Sequence, residues 1–238
     1  MPNPFVVNHA LLAAAREKLA DRHALVWVVG GGGSGKTTLC RALTARLSIP
    51  TYDMDAHIYG DYHHRFDPAR HPTNTTWATA SHGLAWLLNL TWDDFYRFNQ
   101  AALPEYLDLL TEDLARQGSD DSLVIDGGII NPGLLAQAIP ASRIVCLSTP
   151  EQSSGQIWEG SGERQAMKAA VYELPNPETA WQTFLEFDRQ ITATILRECQ
   201  AAGISIYQRR HSTTAEELAE QVIRELQLRR RGQPEGGH

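Results

Sequence analysis

The chain has 238 residues, with 21 Lys and Arg against 28 Asp and Glu, a formal charge of −7 and 42% hydrophobic residues. This length and apolar content suit one α/β domain with an insertion, and the acidic balance excludes a general nucleic-acid binder, which needs a basic surface. Cys40, Cys146 and Cys199 lie far apart without C-x-x-C spacing. That excludes a disulfide scaffold and a structural zinc site and suits a reducing compartment. The first residues lack a basic segment followed by an apolar one, and no apolar run reaches membrane-spanning length. A cytoplasmic protein with no membrane partner is therefore expected.

Asn8 is placed to cap a first helix from His9 to about Asp21. Ala24 to Val29 (ALVWVV) is apolar and β-rich and reads as a buried strand. It runs into Gly30-Gly31-Gly32-Gly33-Ser34-Gly35-Lys36-Thr37-Thr38, which fits G-x-x-x-x-G-K-[ST] with Gly30, Gly35, Lys36 and Thr37 at the fixed places. Glycines let the backbone turn through positive φ and approach an anion, and successive N–H groups then form a cradle for phosphate. The helix predicted to follow, Thr38 to Leu47, aims its positive end at the same point. Lys36 is expected on the β and γ phosphates, and the Thr37 hydroxyl on Mg²⁺. A flexible glycine linker would need neither the strand before nor the helix after.

Ile49 to Asp53 reads as a second strand, followed by Asp53-Met54-Asp55. Two carboxylates at i and i+2 on an extended segment point the same way. One could hold Mg²⁺ through water, while the other accepts a proton from an attacking hydroxyl or orients it. Residues 56–103 are rich in His, Trp, Thr and Asn. The histidine spacing fits no metal-ligand pair, and the tryptophans read first as the core of a small helical subdomain. Aromatic residues with scattered polar groups also suit an organic ligand. Pro104 to Gln117 predicts an amphipathic helix with Pro in its first turn and Gly118 as its stop.

Ser122 to Asp126 predicts a third strand that ends in Asp126-Gly127-Gly128, a metal-side or substrate-side acid followed by a turn that admits close approach to backbone. Pro132 to Ala138 predicts a short helix and Arg143 to Leu147 a fourth strand. Asn176-Pro177 opens a long helix to Ala202, closed by Gly203. Ile204 to Gln208 predicts a fifth strand, and Thr213 or Thr214 caps a last helix to about Leu228. Residues 229–238 read as a disordered tail. Strands alternating with helices predict a parallel sheet covered on both faces, with ligands at the carboxyl ends of the strands.

GGGGSGKTT, YDMDAHIY after strand two and VIDGG after strand three together resemble the shikimate-kinase and gluconate-kinase type of small-molecule kinase, within the nucleoside-monophosphate-kinase-like P-loop proteins. The resemblance spans the core elements, about half the chain. It implies a three-layer P-loop fold with a five-stranded parallel sheet of order 2-3-1-4-5, and ATP with Mg²⁺ as cofactors. It also implies that Asp53 serves the metal, Asp55 binds the hydroxyl to be phosphorylated, and Gly127 and Gly128 line the substrate pocket.

The stretch from Ala56 to Ser122 is longer than that family needs, so a substrate-binding insertion at about 56–103 is expected, with Arg65 (or Arg70) as the candidate for the family's substrate arginine. Residues 151–173 are expected to form a lid, since Gly155, Gly160 and Gly162 permit motion and Arg164 and Lys168 supply positive charge over the phosphates.

One domain over residues 1–228 is thus expected to be an ATP-dependent kinase acting on a hydroxyl of a small metabolite. A nucleoside or nucleotide kinase is the neighbouring alternative, and a regulatory NTPase without an acceptor the alternative of another class. The chain lacks D-x-x-G after strand three and N-K-x-D anywhere, which opposes a GTPase switch.

Overall fold

A computed structural model of the chain describes residues 5–20, 22, 24–117, 122–160, 162–210 and 212–232. Five short strands form its centre: β1 Ala24–Gly30, β2 Thr51–Asp53, β3 Ser122–Asp126, β4 Ile144–Ser148 and β5 Ser205–Gln208. They lie in the order β2-β3-β1-β4-β5, with every pair parallel. The helices are α1 His9–Ala20, α2 Lys36–Leu47, α3 Met54–Tyr59, α4 Pro72–Ala78, α5 Gly83–Leu88, α6 Trp92–Gln117, α7 Pro132–Leu135, α8 Ser154–Glu159, α9 Gly162–Tyr172, α10 Pro177–Ala201 and α11 Ala215–Gly232. Among the described residues, no helix is long and apolar enough to cross a membrane.

Side chains alternate across a strand, and β1 shows how this builds two cores. Val26 and Val28 meet Leu39, Leu43, Leu218 and Val222 of α2 and α11 on one face. Leu25, Trp27 and Val29 meet the other cluster, with Leu107 and Leu110 of α6 and Ile195 of α10. The Trp27 indole N–H donates to the Gly127 carbonyl at 2.9 Å, which fixes the turn after β3 against β1. This is the three-layer α/β P-loop architecture, with the strand order that the resemblance implies. In the register, Asp126 lies opposite both Val28 and Asp53, so β1, β2 and β3 deliver their carboxyl ends to one edge.

Three local expectations are corrected. Asp53 and Asp55 do not share an extended segment. The chain turns into α3 directly after Asp53, whose carboxylate accepts the Ala56 N–H at 2.9 Å as the helix cap. The helix expected from Pro104 begins at Trp92 and passes through Pro104 without ending. An interior proline removes one backbone hydrogen bond and costs about 3 kcal/mol. Here the burial of Phe95, Phe98, Ala101, Ala102 and Leu103 before it, and of Leu107, Leu109 and Leu110 after it, offsets that loss. Asp93 and Asp94 sit in the first turn of α6, where acids favour the helix dipole. α11 continues beyond Leu228 to Gly232, so residues 229–232 of the tail expected at 229–238 are helical. The expected stop at Gly118 and the tail from 233 lie outside the described residues.

The long region after β2 is organised by buried acids on α6. Glu105 accepts the Thr73 and Asn74 backbone N–H groups at 3.0 and 2.8 Å and the Asn74 amide at 2.7 Å, so a carboxylate from another helix caps α4. His71 takes the Asp67 N–H on Nδ1 at 3.1 Å, which leaves Nε2–H to donate to Asp108 at 3.0 Å. Tyr52 of β2 donates to Asp113 at 2.7 Å and pairs with Tyr62 at 2.6 Å. Glu105→Ala should lower the unfolding free energy by about 2–3 kcal/mol, because it strands buried donors. Urea denaturation reads this directly. A change within experimental error would mean that α4 is not held by this cap.

Candidate active site

The phosphate loop joins β1 to α2. Gly30, Gly33 and Gly35 have φ of 152°, 68° and 95°, conformations a side chain opposes. Crowding adds a second requirement. A Cβ on Gly33 would lie 2.5 Å from Arg164 Nη2, and one on Gly32 would lie 2.6 Å from Asp188 Oδ1. A Cβ on Gly31 would collide with Thr192 and one on Gly35 with Arg209. The Lys36 ammonium donates to the Gly30 and Gly31 carbonyls at 3.0 and 3.2 Å and lies folded onto the loop. Thr37 and Thr38 are exposed in the first turn of α2, where helical N–H groups have no partner within the helix. Ser34 is buried with its hydroxyl oxygen unpaired.

Asp55 stands beside this loop. The position a Cβ on Gly127 would take lies 2.6 Å from Asp55 Oδ2 and 3.4 Å from Lys36 Cε, so acid and lysine flank one glycine. Gly127 and Gly128 both adopt positive φ, 69° and 74°. Asp55 is exposed on the cavity it opens onto, with Lys36 and the Gly127-Gly128 turn beside its carboxylate. Desolvation raises its carboxyl pKa above the ordinary value, Lys36 and the Gly128 N–H pull it back, and Asp53 and Asp126 push it up again.

Asp126 is buried, with Oδ1 unpaired, and lies near the Cys40 thiol. Burial and this carboxylate push the Cys40 thiol well up. Among the described residues, no three His, Cys, Asp or Glu side chains converge on a point that could hold a metal by themselves. The donor set does fit Mg²⁺ held jointly by phosphates and water. It comprises the Thr37 hydroxyl, the free Oδ1 of Asp126 and the carboxylate of Asp53.

The segment expected as a lid folds into α8 and α9 and lies across the loop. Ile157 packs on Gly33 and the Trp158 ring edge lies near Gly32. Arg164 donates to the Ile157 carbonyl and reaches Gly33. Trp158 packs on Phe184 of α10, and Lys168 sits over the rings of Tyr172 and Trp181. The predicted loop, Asp53, Asp55, Asp126, Gly127, Gly128 and Arg164 therefore gather at one sheet edge.

Arg65 does not join them. It pairs with Asp113 at 2.7 Å and Glu112 at 3.2 Å, lies over Tyr62 and lines a separate hollow with Arg70 and His71. Arg70 is likewise tied to Asp108 and Glu112. Sequence reasoning missed Arg209, which follows β5 and donates to the Ser34 carbonyl at 3.5 Å. It also missed α10. Phe184, Phe187, Asp188, Ile191 and Ile195 form a helical stripe with one carboxylate in an apolar row, and that misfit was the available signal.

The central cavity measures about 490 Å³, within the range of small-molecule sites. It begins at Gly30, Gly32, Lys36 and Asp55 and extends between the region after β2 and the stripe of α10.

No protein-family model and no curated protein matches the chain. Among solved structures, it is similar to a shikimate kinase from Acinetobacter baumannii in complex with shikimate, with 18% identity, a TM-score of 0.45, 88% of this chain covered and 96% of that one.

Proposed function

We propose that the protein is an ATP-dependent phosphotransferase that moves the γ-phosphate of ATP to a hydroxyl of a small molecule. One observation carries this reading: a glycine-rich phosphate cradle and a carboxylate, Asp55, flank the same glycine at the head of a ligand-sized cavity. In this reading the backbone N–H groups from Gly30 to Thr38 hold the phosphates, and Lys36 swings from the loop carbonyls onto the β and γ oxygens. Arg164 adds charge over the same oxygens from the lid, and α8 and α9 keep water out. Asp55 orients the acceptor hydroxyl and takes its proton. Thr37, Asp53 and Asp126 would hold Mg²⁺. When bound, the ion neutralises charge on the phosphates.

Asp53 carries two duties, cap and metal, and Asn separates them, since asparagine caps helices about as well as aspartate. Asp53→Asn should leave thermal stability nearly unchanged and raise the Mg²⁺ concentration for half-maximal rate by about tenfold. An unchanged Mg²⁺ requirement would confine Asp53 to the cap.

The reading itself is tested by ATP consumption with Mg²⁺ across sugars, hydroxy acids, nucleosides and hydroxylated aromatics. A rise above background with one class supports it. Steady hydrolysis that no acceptor stimulates favours a regulatory NTPase.

A further inference from the structure

Among the described residues, the charged side chains that line the cavity are Lys36, Asp55 and Asp188, and all three stand at the end beside the phosphate loop. Away from that end the walls are Trp77, Leu84, Leu87, Phe95, Phe98 and Ile129 with similar apolar neighbours, broken by Asn99, the tyrosines and the unpartnered indole N–H of Trp77. Among the described residues, no arginine or lysine lies along those walls to meet an acidic group. Two arginines of the region after β2, Arg65 and Arg70, are engaged by acids of α6 around another hollow. Burying an unpaired carboxylate or phosphate against such walls is strongly unfavourable. Asp188 adds to this. It is buried, its Oδ2 has no hydrogen-bond partner, and it faces the same cavity. An O–H or N–H of a ligand would satisfy it. At the mouth, Tyr59 and Met167 line the cavity while 65% and 37% exposed, so apolar surface continues to the entrance.

We infer that the acceptor is an uncharged, largely apolar or aromatic alcohol with no carboxylate or phosphate of its own, and that Asp188 accepts a hydrogen bond from it. This rests on the phosphotransferase reading for the word acceptor, but the ligand class stands on the cavity alone.

Calorimetry on the full chain separates the two. The probes are a naphthylmethanol carrying a methyl group and the same alcohol with a carboxylate in place of the methyl. The neutral alcohol should bind at least tenfold more tightly. Met167→Arg, at a partly exposed lip position that tolerates charge, should narrow or reverse that preference by at least fivefold. Equal or tighter binding of the carboxylate by the unmodified protein, or binding of neither probe, overturns the inference. If the neutral alcohol binds but yields no phosphate ester with ATP–Mg²⁺, the ligand class stands and the phosphotransferase reading falls.

Discussion

Lys36→Ala should abolish phosphoryl transfer, with a drop on the order of 10³-fold or more. A single preorganised donor aimed at developing charge already accounts for about 10²–10³-fold, and this lysine also carries a full positive charge. The structure shows where that charge waits. Its ammonium is held by the Gly30 and Gly31 carbonyls, folded onto the loop. The loop itself is kept in shape by positive-φ glycines and by Thr192, Asp188 and Arg209 packed outside it. The fold should therefore survive the substitution, with a Tm within a few degrees of the parent. Near-normal transfer by a folded Lys36→Ala variant would defeat the cradle assignment.

Asp55→Asn should lower kcat by about 10²–10⁴-fold, the range for a positioned general base, and leave ATP affinity little changed. The raised pKa of Asp55 gives this prediction a pH signature. The base works deprotonated, so kcat/KM should fall as pH drops through the folded-state pKa. That acid limb should lie above the ordinary carboxylate range and vanish in the variant.

The same shift has a consequence for stability. Folding raises the pKa, so the folded chain binds the proton more tightly than the unfolded one. Stability then declines as pH rises from the ordinary value through the raised value, and stays lower above it. Asparagine removes this penalty, so Asp55→Asn should melt higher than the parent at neutral pH while losing activity. A variant that loses ATP binding and keeps its acid limb would move Asp55 to the metal side.

The layered fold was legible, and so was the gathering of the glycine loop with Asp53, Asp55 and Asp126 at one sheet edge, because both rest on local signals. A glycine run between an apolar strand and a helix, and acids at the ends of strands two and three, have few other uses. The cavity was not legible, because its walls come from segments far apart in the chain that meet only on folding: Tyr59, Trp77, Phe98, Trp158 and Phe187. Pro104 misled because its local cost is visible in sequence, whereas the burial that outweighs it is not. Arg65 misled by its charge, since its partners Glu112 and Asp113 lie on a helix more than forty residues further on. Asp188 shows the reverse case: an acid inside an apolar helical stripe stands out in the sequence itself.

The most direct test of the central claim is phosphorus NMR of the full chain turning over ATP–Mg²⁺ with an apolar alcohol. The account predicts a new phosphate-ester resonance that grows in step with ADP and is absent with Lys36→Ala. Inorganic phosphate alone, formed at a rate no acceptor changes, would contradict it.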